Sequence, residues 1–279
     1  MKTASAQHNG MGLHPEAPGA AGVAVLDGRP QTAIGSSSPA TEGPQRRSLT
    51  VRSLVQSARV DLEDATAEQI VAWAAQTFGD RLAVASSMAD AVVVDLVSRI
   101  AAGVDVLFLD TGYHFPETIG IRDAVEATYP VRVVTIEPTL TVREQDAGYG
   151  ADLFARDPDR CCAMRKVEPL RRALTGYDAW ITGLRRADSP ARARTGVVEY
   201  DAQFGKVKIN PIARWSDADV EAYIAERGIV VNPLLLDGYA SIGCAPCTRR
   251  VASSTDPRAG RWAGFVKTEC GIHDTGGHQ

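Results

Sequence analysis

The chain has 279 residues, of which 44% are hydrophobic, and its formal net charge is -4. This length provides for one large domain or two small ones with a sizeable core, and the acidic balance gives no support for nucleic-acid binding, which normally shows a basic surplus. Because no apolar run approaches the roughly 20 residues of a membrane span and the first residues lack the apolar segment of a secretory signal, we predict a cytoplasmic protein without membrane contact.

The two ends of the chain differ in composition from its centre. Residues 1–47 are rich in Gly, Pro, Ala, Ser and Thr without sustained periodicity, which predicts a disordered extension, with regular structure from near Asp61. From Ala252 the chain becomes rich in Ser, Gly and Arg, so we predict a mobile tail over residues 253–279. Residues 48–252 are left as one folded domain.

Strands and helices alternate through this domain. Thr66 and Gln69 form a capping box for the helix "TAEQIVAWAAQTFG". Buried strands are predicted at "RLAVASS", "VDVLFLD", "VRVVTIE" and "DAWITG", with helices at "MADAVVVDLVSRIAAG", "PETIGIRDAVEATY" and "EPLRRAL" between them. An added hairpin follows at "GVVEYDAQFGKVKINPI", then a helix bounded by Ser216 and Gly228. The alternation predicts an α/β fold, an open and mostly parallel sheet with helices on both faces.

The ends of the first two predicted strands carry candidate ligand groups, because open α/β sheets bind ligands beyond the carboxyl ends of their strands. Ser86 and Ser87 in "ASSMAD" offer hydroxyl and N–H groups to a phosphate, although they serve equally well as helix caps. No Walker A or G-x-G-x-x-G pattern occurs, which disfavours a P-loop ATPase or a Rossmann dehydrogenase. In "LDTGYHFPET", Asp110, Thr111 and Gly112 are placed for a base or ribose contact.

The loop after the fourth strand, "TGLRRADSPARAR", gathers four arginines, Arg185, Arg186, Arg192 and Arg194. Such a cluster is often a solvated face. At the edge of a parallel sheet it favours bidentate recognition of an anion. The three strand-end loops together predict a nucleotide-phosphate site.

Four cysteines form two close pairs, Cys161–Cys162 and the C-x-x-C pair Cys244–Cys247. Adjacent cysteines rarely bridge each other, and a cytoplasmic protein keeps its thiols reduced. Two pairs suit zinc or an iron–sulfur cluster. The adjacent pair favours the larger cubane, whose separate irons each take one sulfur, while zinc and four structural thiols stay open as alternatives.

The residues around the first pair support thiolate formation. Asp157 and Pro158 predict the start of a helix, so both cysteines lie near its N-terminal end, where the helix dipole favours thiolates. Arg165 and Lys166 offset the negative charge that four thiolates bring.

The fifth cysteine, Cys270, lies in the polar segment "KTECGIH". A thiol near Lys267 and His273 suits an activated nucleophile. A surface cysteine without a role is the alternative.

Taken together, the "CC" pair, the later "C-x-x-C" and the terminal "KTECGIH" resemble the assimilatory adenylyl-sulfate reductases of bacteria and plants. The segments "SSMAD", "LDTGYHFPET", "TGLRR", "NPL" and "RAGRW" fit the same pattern, and the resemblance covers about residues 50–273. It implies a fold like that of the adenine nucleotide alpha hydrolases. It also implies a 4Fe-4S cluster on Cys161, Cys162, Cys244 and Cys247.

The resemblance further implies that Cys270 attacks adenosine 5′-phosphosulfate, so that AMP leaves and a Cys270 S-sulfonate forms. A separate thioredoxin then releases sulfite, since this chain lacks the fused thioredoxin-like domain of the plant form. Lys166 would lie between cluster and substrate. The substrate-binding residues implied by the matching motifs are Ser86, Ser87, Asp90, Asp110, Thr111, Gly112, Lys166, Gly183, Arg185, Arg186, Arg192, Arg258, Arg261 and His273.

Two other functions remain open at the level of sequence. One is a reductase that prefers the 3′-phosphorylated nucleotide, whose common form needs no cluster. The other is a zinc-stabilised, non-redox nucleotide-binding or sulfur-carrier protein, which would be colourless and would have no use for Cys270.

Overall fold

The computed structural model describes residues 44–251, 256–265 and 267–273. Most of the predicted N-terminal extension and parts of the predicted tail lie outside these ranges. The helices within them are α1 (Pro44–Asp61), α2 (Ala67–Phe78), α3 (Val92–Ser98), α4 (Pro116–Thr128), α5 (Val142–Tyr149), α6 (Leu153–Arg156), α7 (Pro158–Cys162), α8 (Glu168–Ala173) and α9 (Asp217–Arg227). The strands are β1 (Leu82–Ala85), β2 (Asp105–Leu109), β3 (Arg132–Ile136), β4 (Ala179–Ile181), β5 (Val198–Asp201) and β6 (Lys206–Ile209).

The six strands form one sheet in the order β3-β2-β1-β4-β6-β5. Parallel pairing joins β3, β2, β1, β4 and β6 in turn. Only β5 is antiparallel, and it forms the added hairpin with β6. The predicted α/β fold with a mostly parallel sheet is confirmed.

Helices cover both faces of the sheet, because successive side chains of a strand point to opposite sides. Leu82 and Val84 of β1 join the larger apolar cluster, which α2, α3, α4 and α9 complete. Between them, Ala83 faces the smaller cluster, which contains Leu170 and Leu174 from the α8 side. Strands buried on both faces explain the continuous apolar runs in the sequence.

Regular secondary structure begins earlier than the sequence predicts. Helix α1 starts at Pro44, whereas regular structure was expected from near Asp61. Val55 and Ala58 of α1 are buried in the main core, and the Arg52 guanidinium lies 4.3 Å from the ring centroid of Tyr200 on β5. The apolar residues at 51, 54, 55 and 58 follow helical spacing, so the signal was present in the sequence.

The predicted caps are largely confirmed, and α3 is the main exception. Capping boxes at Thr66 and Ser216 begin α2 and α9, and Asp157 caps α7. Helix α3 was predicted from Met88 but starts at Val92, because Met88 has a left-handed backbone with φ of 59°. The serines before it therefore do not cap a helix.

The carboxyl ends of β1, β2 and β4 lie side by side at one edge of the sheet. The chain order along the sheet reverses between β1 and β4, and such a reversal opens a crevice in which α/β proteins bind ligands. In the described part of the chain, no helix has the length and apolar character needed to cross a membrane.

Candidate functional site

A cavity of about 760 Å³ opens at this edge of the sheet. Its volume lies within the range of about 300–1,000 Å³ that small-molecule sites occupy. Most of the sequence-predicted site residues line it: Ser86, Ser87, Asp90, Thr111, Lys166, Gly183, Arg185, Arg192, Arg258, Arg261, Cys270 and His273. Segments that are far apart in the sequence therefore meet around one space.

Three predicted substrate ligands do not line this cavity: Asp110, Gly112 and Arg186. The Asp110 carboxylate accepts a hydrogen bond from the Gly112 amide at 2.9 Å and so shapes the turn. Gly112 has a positive φ, and a Cβ there would lie 3.0 Å from the Arg165 guanidinium. Arg186 donates to Glu63 at 2.7 Å and to the Thr195 carbonyl at 2.8 Å. In this structure the three residues thus contact other parts of the protein, and their contact with a substrate stays a prediction.

The turn after β1 is held by its own side chains. The Ser86 hydroxyl accepts a hydrogen bond from the Met88 amide at 3.2 Å, and the Asp90 carboxylate accepts one from the Val92 amide at 3.0 Å. Asn232, in the predicted "NPL" motif, is fully buried and donates to the Met88 carbonyl at 3.1 Å. Burial raises the pKa of Asp90, and the nearby Arg185 opposes that shift.

The loop after β4 carries arginines with different partners. Arg185 pairs with Asp188 at 3.0 Å and with Asp217 at 2.8 Å. Within residues 44–251, 256–265 and 267–273, its Nη1 and the Nε of Arg261 are buried without a hydrogen-bond partner. Buried polar groups are normally paired, so these two cavity-lining side chains have donors available for a ligand. Arg194 is exposed and lies outside the cavity lining.

The two cysteine pairs meet in a second, smaller pocket. Cys161, Cys162, Cys244 and Cys247 all line it, and all four are free thiols. The Cys244 thiol lies 3.3 Å from the Thr111 hydroxyl, which joins the pocket to the end of β2. The four-cysteine site defined by this pocket therefore adjoins the cavity.

Thiol ionisation at this four-cysteine site is electrostatically difficult. Burial, followed by the charges of the other cysteines, raises the pKa of Cys161 to about 12 and that of Cys247 to about 11. The pKa of Cys162 is also raised, chiefly by burial. Burial would raise the pKa of Cys244 as well, but Lys166 and the Thr111 hydroxyl lower it. The thiols that line this pocket therefore ionise with difficulty unless positive charge lies beside them.

Arg165 and Lys166 lie on a π-helical turn that follows Cys162 directly. Arg165 is buried and donates to the Thr111 carbonyl and to the Gln145 side chain. Lys166 lines both the cavity and the four-cysteine site. Burial lowers the Lys166 pKa, but Cys244, Cys270 and Cys162 outweigh it, so the net shift is upward and the ammonium stays charged.

The C-terminal segment 267–273 packs against the cavity. Glu269 accepts hydrogen bonds from Arg192 at 2.7 and 2.9 Å and from Arg258 at 3.1 Å. The Gly271 carbonyl accepts one from Gln203 at 2.9 Å, and Lys267 forms an ion pair with Asp159 of α7. These contacts bring Cys270 to the cavity lining, while its predicted mobility stays a prediction.

His273 stacks on Trp180 of β4. Their ring centroids are 5.8 Å apart and the ring planes differ by 9°. Burial, together with the charges of Lys208, Arg192 and Arg258, lowers the pKa of His273 well below its usual value. His273 therefore anchors the tail as a neutral ring.

The sequence analysis missed several residues that line the cavity or bond its arginines. Asp188 and Glu269 stood inside quoted motifs but were not recognised as partners of the arginines. Trp180 was read only as a strand residue. His114 also lines the cavity, with Nε2 at 2.8 Å from the Leu109 carbonyl and a pKa lowered by burial. The glutamate of "KTECGIH" and the arginines of "RRADSPARAR" were the available signal.

Fold and site define an α/β protein with a mostly parallel sheet, whose candidate ligand cavity adjoins four cysteines. A family profile described as the phosphoadenosine phosphosulfate reductase domain matches residues 81–250. The adenosine 5′-phosphosulfate reductase of Streptomyces coelicolor is 62% identical over 229 residues, which cover 82% of this chain and 97% of that protein. The reductase of the same name from Mycolicibacterium smegmatis is 55% identical over 223 residues, covering 80% and 94%.

A solved structure agrees with this similarity. The crystal structure of the phosphoadenylyl-sulfate reductase of Candida auris, a phosphate complex, superposes with a TM-score of 0.60 at 28% identity, covering 75% of this chain and 99% of that one. The chain belongs to the adenosine 5′-phosphosulfate and 3′-phosphoadenosine 5′-phosphosulfate reductase family. It is an oxidoreductase that acts on a sulfur group.

Proposed function

We propose that this protein reduces adenosine 5′-phosphosulfate to sulfite and AMP in the cytoplasmic assimilation of sulfate, with Cys270 as nucleophile and thioredoxin as electron donor. The observation that carries the proposal is the meeting of Cys270, Lys166 and Arg258 around one cavity that adjoins the four-cysteine site. The relatives that cover most of the chain bear the name of this reductase, which supports the substrate.

In the first step the Cys270 thiolate attacks the sulfur of the substrate. A bond forms between Sγ and that sulfur, while the bond from the sulfur to the bridging phosphate oxygen breaks and its electron pair leaves with AMP. Both reactants are anions, so nearby cations must offset their repulsion. Lys166, Arg258 and Arg261 supply that charge from the cavity wall.

In the second step a thioredoxin thiolate attacks Sγ of Cys270. The sulfur–sulfur bond of the S-sulfonate breaks, and sulfite leaves with its electron pair. The second thioredoxin thiol then resolves the mixed disulfide, which returns Cys270 as a thiol and leaves thioredoxin oxidised by two electrons. Cys270 is only partly buried, as a thiol that meets a protein partner requires.

The four-cysteine site fits a 4Fe-4S cluster. Cys161, Cys162, Cys244 and Cys247 would hold it, since they are free thiols around one pocket. When bound, the cluster would join the two cysteine pairs and supply a polarising iron–sulfur group beside the cavity. Lys166 lines both spaces, so it is placed to hold positive charge between the thiolates and the substrate.

The arrangement of the cysteines supports the cluster. Two cysteine pairs around one pocket can supply one thiolate to each of four separate irons. A single tetrahedral zinc would instead need all four thiolates about 3.8 Å from one another.

A preference for the 3′-phosphorylated nucleotide is the second candidate. It is favoured by the description of the matching family profile and by the Candida auris enzyme. Specificity constants for the two nucleotides, measured side by side, distinguish the candidates. A higher specificity constant for the 3′-phosphorylated nucleotide would favour the second candidate function.

Replacement of Cys270 by Ser tests the proposal. The variant should fold, keep its iron and bind AMP, yet make no sulfite, because a serine hydroxyl is barely ionised near neutral pH and forms no cleavable S-sulfonate. The unaltered protein, given sulfur-labelled substrate without reductant, should carry label on Cys270 that thioredoxin releases. Label on another cysteine, or turnover by Cys270→Ser, would show that the nucleophile is wrongly assigned.

A further inference from the structure

The residue before the nucleophile inserts its carboxylate between two arginines. Arg192 donates to both oxygens of Glu269, from Nε at 2.7 Å and from Nη2 at 2.9 Å. Arg258 donates to the same carboxylate at 3.1 Å and to the Thr268 carbonyl at 3.0 Å. We call Glu269, Arg192 and Arg258 the tail clamp.

The tail clamp is withdrawn from solvent. The side chains of Glu269, Arg192 and Arg258 are 17%, 12% and 13% exposed. Bidentate, charge-assisted hydrogen bonds in such surroundings are among the stronger polar contacts of a protein, and salt screens them little. This contact is therefore strong enough to decide where the segment around Cys270 lies.

Arg192 has little capacity left for a substrate anion. Two of its nitrogens bond Glu269, and Nη1 donates to Asp188 at 3.0 Å. Among the described residues, Arg258 contacts the tail through Nη2, and its side chain also lines the cavity. The two arginines thus have different roles. Arg192 holds the tail, and Arg258 contacts both the tail and the cavity.

We propose that Glu269 is a positioning residue, which seats Cys270 at the cavity through the tail clamp, and that Arg192 is its receptor and not a substrate ligand. The inference rests on the proposed function, in which Cys270 is the nucleophile. On the other side of Cys270, the Gly271 carbonyl and the stacked His273 ring hold the segment. Without Glu269, the Thr268 carbonyl and the Lys267–Asp159 ion pair still hold the chain before Cys270, but the contact directly next to the thiol is lost, and a misplacement of about 1 Å costs about 100-fold in rate.

The clamp affects the two half-reactions in opposite ways. Attack on the substrate needs the seated tail, whereas attack by thioredoxin needs Cys270 to be reachable by another protein. Glu269→Gln removes the charge of the clamp but keeps the size of the side chain. We expect it to slow formation of the Cys270 S-sulfonate in a single turnover by about 10- to 100-fold. Release of sulfite from a preformed S-sulfonate by thioredoxin should be as fast as in the unaltered protein, or faster.

Binding measurements separate positioning from substrate contact. For Glu269→Gln and Arg192→Gln the dissociation constant of AMP should stay unchanged. The two substitutions should also be non-additive in the S-sulfonation rate, because both remove the same contact. Arg194→Gln is the matched control, since it removes an exposed arginine from the same loop and should leave every rate unchanged.

The rate at which iodoacetamide alkylates Cys270 reports, without any substrate, whether the tail is held at the cavity. Loss of a charge-assisted contact should speed alkylation in Glu269→Gln by about 10-fold or more. Alkylation and S-sulfonation at the rates of the unaltered protein would overturn the proposal, as would a weakened AMP affinity in Arg192→Gln. If the unaltered protein forms no S-sulfonate on Cys270, the proposed function fails instead, while alkylation still tests the clamp.

Discussion

Arg165 and Lys166 are neighbours with separate tasks at the site. Arg165 binds backbone and side-chain oxygens and so ties the end of β2 to the turn after Cys162. Lys166 lines both the cavity and the four-cysteine site. The π-helical turn on which both lie adds one residue to the helical register, a device that recurs at functional sites.

Replacement of Cys247 by Ala tests the four-cysteine site at the scale of one residue. It removes one ligand of the proposed cluster while the other three thiols stay. We expect iron to fall from about four per chain toward none, with loss of visible colour and of sulfite formation. Iron analysis and the absorbance spectrum of anaerobically purified protein provide the measurement.

Cys270→Ser is the matched control for this variant, because it removes a thiol outside the four-cysteine site and should keep full iron and colour. Normal iron content in Cys247→Ala would contradict the assignment of this thiol as a ligand.

At the scale of elements, an ion pair joins the starts of β2 and β3. Arg132 donates to both oxygens of Asp105 at 2.5 Å, and the Tyr177 hydroxyl donates to the same carboxylate at 2.6 Å. The hydrogen bond from Arg132 is the main cause that lowers the pKa of Asp105, against the effect of burial. The pair lies at the amino edge of the strands, away from the cavity.

Asp105→Asn should lower the free energy of unfolding by about 1–2 kcal/mol at pH 7, since it leaves the exposed Arg132 guanidinium and the partly buried Tyr177 hydroxyl with a weaker acceptor. Because the folded pKa lies below the unfolded value of about 3.9, the carboxylate stabilises the fold above that value. This contribution is lost as the pH falls through the folded pKa. The difference between the two proteins should therefore shrink in acid, as measured by urea unfolding between pH 7 and pH 3.

Asp123→Asn is the control for an exposed pair. Its carboxylate bonds Arg122 with 60% of the side chain exposed, and such pairs contribute at most about 1 kcal/mol. A constant difference between Asp105→Asn and the unaltered protein across the pH range would refute the linkage.

At the scale of the whole molecule, the described part of the chain begins at α1, and 82% of the chain covers 97% of the Streptomyces coelicolor relative. A protein of residues 44–279 should therefore keep its activity and its midpoint of thermal unfolding. A protein of residues 62–279 loses the buried Val55 and Ala58. Burial of one such aliphatic side chain stabilises by about 1.5–3 kcal/mol, so its midpoint should fall by about 5–10 °C.

Circular dichroism during heating measures both truncated proteins against the full chain. Equal midpoints for residues 44–279 and 62–279 would show that α1 adds nothing to the core. A lower midpoint for residues 44–279 than for the full chain would show that the first 43 residues support the fold.

Much of the fold and part of the site could be predicted because the signals are local. The capping boxes at Thr66 and Ser216 and the alternation of apolar runs depend on residues a few positions apart. The pairing of Cys161–Cys162 with Cys244–Cys247 was predicted for a similar reason, since each pair is a short motif with its own metal chemistry. The structure brings the two pairs into one pocket.

The sequence by itself determined the alternating elements, the parallel sheet and the chemical types gathered at its edge, since periodicity and capping act over a few residues. Only the tertiary structure decided which polar groups face the cavity. The Asp110 carboxylate accepts a hydrogen bond within its own loop, and Arg186 donates one to Glu63. It also decided that Arg192 meets Glu269 across 77 residues. The direction of a side chain depends on the backbone at that residue and on partners far along the chain, and no local pattern encodes either.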